Sequence, residues 1–155
     1  FARIHHPSET SAKTLVKFLD DPVPLIRAEA LRGLALQQEF AEPHLRIVVS
    51  MLDDDSAYPY WASSDRLHFD RMANAAIECL EELGYHAGPV LPALRARRDA
   101  LPRSEQKQLR KLVGQIFRSL KQHKTRAAVK AESRTPAIES GSARTKRDEI
   151  RADNQ

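Results

Sequence analysis

From residue 11 to residue 120 the apolar positions fall into helix-spaced stripes separated by short polar breaks. Leu15, Val16, Phe18 and Leu19 give one face of a first helix. Asp20-Asp21-Pro22-Val23-Pro24 ends it, and Pro24, with its fixed φ and missing N–H, suits the first position of the next helix. Ile26, Ala30 and Leu34 follow at i, i+4 and i+8, flanked by Leu31. Residues 37–42 are polar enough for a loop, after which Pro43 opens a third helix bearing Leu45, Val48, Val49 and Leu52. Asp53, Asp54 and Asp55 close that helix, and a longer connection over residues 56–68 leads to a fourth. There Phe69, Met72, Ala73, Ala76, Ile77, Leu80 and Leu83 keep helical spacing, and Gly84 is the expected C-terminal cap. A turn over residues 85–88 precedes a fifth helix begun by Val90, Leu91 and Leu94, with Pro89 and Pro92 tolerated in its first turn. Leu101-Pro102-Arg103-Ser104 is the next break, with Ser104 as the expected N-cap. Leu109, Leu112, Val113, Ile116, Phe117 and Leu120 then form the clearest amphipathic stripe of the chain. No segment sustains a period of two, so no sheet is expected.

Past Gln122 the stripe ends. Val129, Ile138 and Ile150 stand isolated among Ser, Thr, Ala, Lys and Arg, too little apolar surface to offset the entropy of ordering. Residues 123–155 are therefore expected to form a disordered basic tail, with a transient helix near residues 145–151.

The chain also repeats itself. Leu15-Val16-Lys17-Phe18-Leu19-Asp20-Asp21 returns 33 residues later as Val48-Val49-Ser50-Met51-Leu52-Asp53-Asp54. The following helices correspond at an offset of 46, Ile26-Arg27-Ala28-Glu29-Ala30 with Leu34 against Met72-Ala73-Asn74-Ala75-Ala76 with Leu80. The second unit thus holds about 13 extra residues between its two helices. Residues 88–120 read as a third, more divergent pair. Two amphipathic helices per unit, joined by Asp-Asp-Pro and continued by a hydrophobic-Arg-x-x-Ala-x-x-x-Leu start, resemble HEAT repeats, and most closely the short bacterial HEAT-like class. The resemblance spans about 110 of the 155 residues and is most specific over residues 15–34; the second unit departs from it with Ala73 in place of Arg. It implies an all-α fold, a short α-α superhelix (a HEAT-like, armadillo-like solenoid) of about three helix pairs. Each pair is one-sided and is covered only by its neighbours. The expected organisation is a lead-in over residues 1–7, a repeat domain over residues 8–122 and the tail over residues 123–155.

A narrower resemblance lies in residues 75–84 and 87–94, Ala75-Ala76-Ile77-Glu78-Cys79-Leu80-Glu81-Glu82-Leu83-Gly84 and Ala87-Gly88-Pro89-Val90-Leu91-Pro92-Ala93-Leu94. This stretch is similar to the HEAT-like extension that follows the catalytic domain of some bacterial sulfatases. It implies an accessory C-terminal region of a sulfuric ester hydrolase whose catalytic part lies elsewhere. The sulfatase nucleophile motif, Cys/Ser-x-Pro-Ser-Arg, is absent from this chain.

Composition narrows the chemistry. One cysteine, Cys79, excludes an internal disulfide framework and a cysteine-based zinc site. No apolar run approaches the roughly 18 residues of a membrane-spanning helix. The net charge of +4 conceals an asymmetry: the first 94 residues carry eight Lys/Arg against 14 Asp/Glu, and the next 32 carry eleven against two. Arg95, Arg97, Arg98, Arg103, Lys107, Arg110 and Lys111 form a candidate basic face, provided their two helices lie side by side. Such a face attracts anionic partners, and binding through it weakens steeply with salt. Without an aromatic platform beside it, however, nucleic acid is the less favoured partner.

Tyr58-Pro59-Tyr60-Trp61 places the one Trp and two of the three Tyr within four residues of the long connection. Tyr58, Tyr60 and Trp61 are the candidate binding residues, because aromatics with a polar edge bury a large area at low entropy cost. The competing reading has Trp61 folding back over the helix pair it interrupts. Asp53, Asp54, Asp55 and Asp65 do not match a calcium loop, and Asp20 and Asp21 occupy the same repeat turn, so the run is structural. The histidines fall near helix ends or in loops without a catalytic or metal motif. No catalytic residue, metal or cofactor is assigned. The expected function is a non-catalytic protein-interaction or scaffolding module, part of a larger chain, whose partner is another protein or an upstream domain. The cellular compartment is not assignable from the sequence.

Overall fold

The first helix, α1 (Glu9–Lys17), is capped by Ser8, whose hydroxyl accepts the Ser11 N–H at 3.1 Å. It ends in a 3₁₀ turn, Phe18–Asp20, before α2 (Pro24–Ala35) starts on Pro24. A 3₁₀ stretch, Gln38–His44, leads to α3 (Leu45–Ser50), which ends in a second 3₁₀ turn, Met51–Asp53. Two short strands follow, β1 (Ala57–Trp61) and β2 (Leu67–Arg71), then α4 (Met72–Leu83). A further 3₁₀ stretch, Gly84–Val90, precedes α5 (Leu91–Ala100) and the long α6 (Gln106–Glu132). This computed structural model describes residues 6–61, 67–103 and 106–132, and only the backbone of Tyr60, Trp61, Leu67 and Glu132.

The fold is all-α apart from one antiparallel hairpin. By internal contacts the chain divides into Phe1–His123 and Lys124–Gln155. In the first unit α1 packs on α2, α3 on α4, and α2 lies along α4. Leu19, Leu31, Leu34, Leu45, Val48, Met72, Leu80, Leu94, Leu112 and Ile116 are buried at their centre. Each such side chain stabilises the fold by about 1.5–3 kcal/mol relative to exposure. In the second unit the described part is the end of α6, with its side chains exposed through Ala131.

The two offsets read from the sequence reappear as geometry. The two short 3₁₀ turns lie 33 residues apart, and each is followed by the same aspartate turn. Val23 N–H donates to Asp21 Oδ1 at 2.8 Å, and Ser56 N–H donates to Asp54 Oδ1 at 2.9 Å. The two long 3₁₀ stretches lie 46 apart; each is seven residues long, contains Pro (Pro43, Pro89) and buries Ala (Ala41, Ala87). Both open on a positive φ, 52° at Gln38 and 57° at Gly84. The splice between the offsets is visible in one hydrogen bond. Ile26 N–H donates to Val23 O at 3.0 Å at the start of α2, and Met72 N–H donates to Ser56 O at 3.0 Å at the start of α4. The same helix-opening bond forms in both units although the second carries a 13-residue excursion between its partners.

Three expectations are corrected. The connection over residues 56–68 is not an open loop, because β1 and β2 pair in the register Ala57↔Arg71 through Trp61↔Leu67. The alternation that should announce a strand is inverted in β2, where Asp70 pairs opposite the buried Tyr58 and the apolar Phe69 is exposed. For the same reason Phe69 does not belong to the fourth helix, which starts at Met72. Finally, helix continues through the first ten residues assigned to a disordered tail, to Glu132. Its Lys, Gln, Arg and Ala are strong helix formers without a Gly or Pro, and elongating an established helix orders one residue per hydrogen bond. Residues 133–155, Ser104, Asp65 and the lead-in before His6 lie outside the described residues.

Candidate functional site

The hairpin is held at its base and along one side. At the base, Arg27 of α2 joins both repeat turns: its guanidinium donates to Asp21 O at 2.7 Å, to Asp54 Oδ2 at 2.9 and 3.1 Å, and to Ser56 Oγ at 2.6 Å. Burial raises the Asp54 carboxyl, but hydrogen bonds from Ser56 and Arg27 outweigh it and hold the group below the ordinary aspartate range. Arg97 of α5 makes the corresponding tie from the other side, donating to Leu52 O at 3.1 Å and to Asp53 Oδ2 at 2.7 Å. That hydrogen bond keeps the Asp53 carboxyl low. The aspartate run is thus committed to structure, as its place in the repeat implies.

Along its inner side β1 is anchored by Tyr58, which is fully buried. The Arg32 guanidinium of α2 stands 5.8 Å over its ring, and its hydroxyl donates to Asp70 Oδ2 at 3.4 Å. Burial and the Asp70 charge push the Tyr58 phenol up to about 12. Asp70 is held in turn by Asn74 Nδ2 at 2.6 Å and by the Arg71 N–H at 2.8 Å. Tyr58 therefore supplies the fold-back that the sequence reading attributed to Trp61, and its ring is not offered to a partner. Tyr60 and Trp61 lie in β1, and their side chains are outside the described residues. What the hairpin does present is Phe69, 68% exposed and paired in register with Pro59.

The basic residues divide into two groups. Arg97 is taken by Asp53, and Arg98 pairs with its neighbour Asp99 at 2.7 Å. Lys111 leans 3.6 Å from Glu81 of α4, over a cleft of about 250 Å³ lined also by Asp70, Asn74, Ile77, Glu78 and Gln108. Arg95, Arg103, Lys107 and Arg110 are exposed. Arg110 also donates to Gln106 Oε1 at 2.6 Å, while Gln106 Nε2 donates to Leu101 O at 2.7 Å and so secures the corner between α5 and α6. Phe117, placed by periodicity on the buried stripe, is 53% exposed, with the Arg95 guanidinium 6.0 Å over its ring. It falls one position beyond the buried Ile116, far enough round a helix of 3.6 residues per turn to leave the core.

Other titratable groups serve the fold. Burial, helped by Glu82, pushes the Cys79 thiol up to about 12. His86 is buried with Nδ1 2.8 Å from Glu42 Oε1, joining the two long 3₁₀ stretches. Among the described residues no group of three His, Cys, Asp or Glu converges on a metal-sized space, and no helix is long and apolar enough to cross a membrane. Sequence reasoning missed Arg27 as an inter-unit tie, Phe69 as the exposed aromatic, and Phe117. For Arg27 a signal existed, since a lone Arg two residues past the second Pro of the turn faces an aspartate that recurs one repeat later. No family model, curated protein or solved structure matches the chain.

Proposed function

We propose that the chain is a HEAT-like helical-repeat module that binds another protein through the hairpin spliced into its second unit. The observation that carries this reading is Phe69, 68% exposed on a strand whose partner strand is locked to the core by the fully buried Tyr58. An aromatic held out on a braced element is a low-entropy anchor, since little further ordering is required on binding. The recurring turns and the Arg27 tie support the repeat assignment, because they give both units the same backbone start for the second helix. The module acts by positioning, and the hairpin is its variable element on a repeated frame.

The test is site-specific photo-crosslinking in a cell extract, with a photoreactive phenylalanine analogue in place of Phe69 and, as a control, of the exposed Thr14. A discrete protein adduct is expected at position 69 and absent at position 14. Excess unlabelled wild type should suppress it, and excess Phe69→Ser protein should not. Equal suppression by both competitors, or the same adducts at both positions, would remove the hairpin from the interface.

A further inference from the structure

The face of α6 that carries Phe117 has an order of its own. Lys107, Arg110, Gly114, Phe117 and Lys121 follow at spacings of 3, 4, 3 and 4, which keeps them on one side of the helix over about 21 Å. Lys107, Arg110, Phe117 and Lys121 are all exposed, and Arg95 of α5 adds a guanidinium over the Phe117 ring. From Gln106 to Ala131 the helix contains no Asp or Glu. Gly114 lies one turn before Phe117, and a side chain there would meet only the Arg118 guanidinium, 3.8 Å away. The ring thus has open space beside it and cations on either side along the helix.

We infer that this α5–α6 face binds single-stranded nucleic acid, with Phe117 stacking a base over the gap at Gly114 and Arg95, Lys107, Arg110 and Lys121 meeting the flanking phosphates. An exposed aromatic within a line of cations is the arrangement that suits an unpaired strand, because each base offers a π-face and each linkage a charge. A duplex hides its base faces and leaves Phe117 unused. A lipid surface needs a broad apolar face, whereas the apolar side of α6 (Leu109, Leu112, Val113, Ile116) is buried in the core and Phe117 alone stands out. The surface is separate from the hairpin, so this inference stands or falls independently of the protein-binding reading.

The test uses the full chain and fluorescence anisotropy of labelled oligo-dT and oligo-rU of about a dozen nucleotides, a length within single-strand site sizes. Four phosphate contacts predict a slope of log affinity on log salt near −2.8, or about a 50-fold loss between 50 and 200 mM salt. Phe117→Ala, at an exposed position, should weaken binding roughly tenfold and leave the slope unchanged. Arg110→Ala should flatten the slope by about 0.7. Binding to both oligomers identifies single strands in general, and binding to one alone identifies RNA or DNA; either supports the inference. It is overturned if duplex binds as well as single strand, if Phe117→Ala has no effect, if inorganic polyphosphate competes as well as oligo-dT at equal charge, or if only anionic phospholipid vesicles bind.

Discussion

Replacing Arg27 with Ala should be among the most damaging single changes outside the apolar core. The guanidinium makes four hydrogen bonds to three residues of both repeat turns, and the side chains of Arg27 and Asp54 are only 13% and 20% exposed. Removing one partner of a fully buried pair costs about 3–5 kcal/mol, and an exposed pair contributes about 0–1 kcal/mol. At this degree of burial the loss should be about 2–3 kcal/mol, because Asp54 keeps its Ser56 bonds but loses its counter-charge. For a unit of this size that lowers the melting temperature by roughly 10 °C. Arg97→Ala is the internal comparison: its partner Asp53 is 67% exposed, so the loss should be near 0.5 kcal/mol. Urea denaturation of wild type, Arg27→Ala, Asp54→Asn and the double variant closes a cycle whose coupling should exceed about 1 kcal/mol. The pH dependence has a fixed sign. The native Asp54 carboxyl lies below its ordinary value of 3.8, so its stabilisation is full above that pH and is lost as the pH falls through the lower native value. The coupling should therefore vanish in strong acid. Equal losses for Arg27→Ala and Arg97→Ala, or a coupling indistinguishable from zero at neutral pH, would refute the view that Arg27 holds the two units together.

Two further outcomes follow from burial and backbone geometry. Cys79 is 2% exposed with its thiol pushed up to about 12, so a thiol reagent at neutral pH should modify it only through opening of the fold. Its labelling rate should rise with urea in step with unfolding, and fast labelling of the native protein would contradict the packing of α4. Gly84 holds φ at 57° and ψ at −117°, and a Cβ there would stand 3.1 Å from Ser119 Oγ. Gly84→Ala should lower stability by about 1–3 kcal/mol in chemical denaturation, and an unchanged midpoint would show that the turn after α4 takes another path.

The amino-acid sequence by itself determined the helices and their repetition. A period near 3.6, Pro at helix starts and Asp-Asp at the turns are local signals, and a local signal is complete within the segment that carries it. The offsets of 33 and 46 even located the 13-residue splice before any coordinates. Tertiary structure alone decided what the splice became and which aromatics it shows. Tyr58 and Phe69 are equally apolar in a list of residues; one is buried and the other exposed because pairing with β2 and packing on α2 turn the first inward. Phe117 is likewise one residue from Ile116 on a continuous stripe, and only the positions of α4 and α5 fix where the core stops. Arg27 and Asp54 lie 27 residues apart, and their bond exists because α2 is laid against the next turn. Burial and long-range pairing are properties of the packed chain, and neither can be read from the spacing of residues within one element.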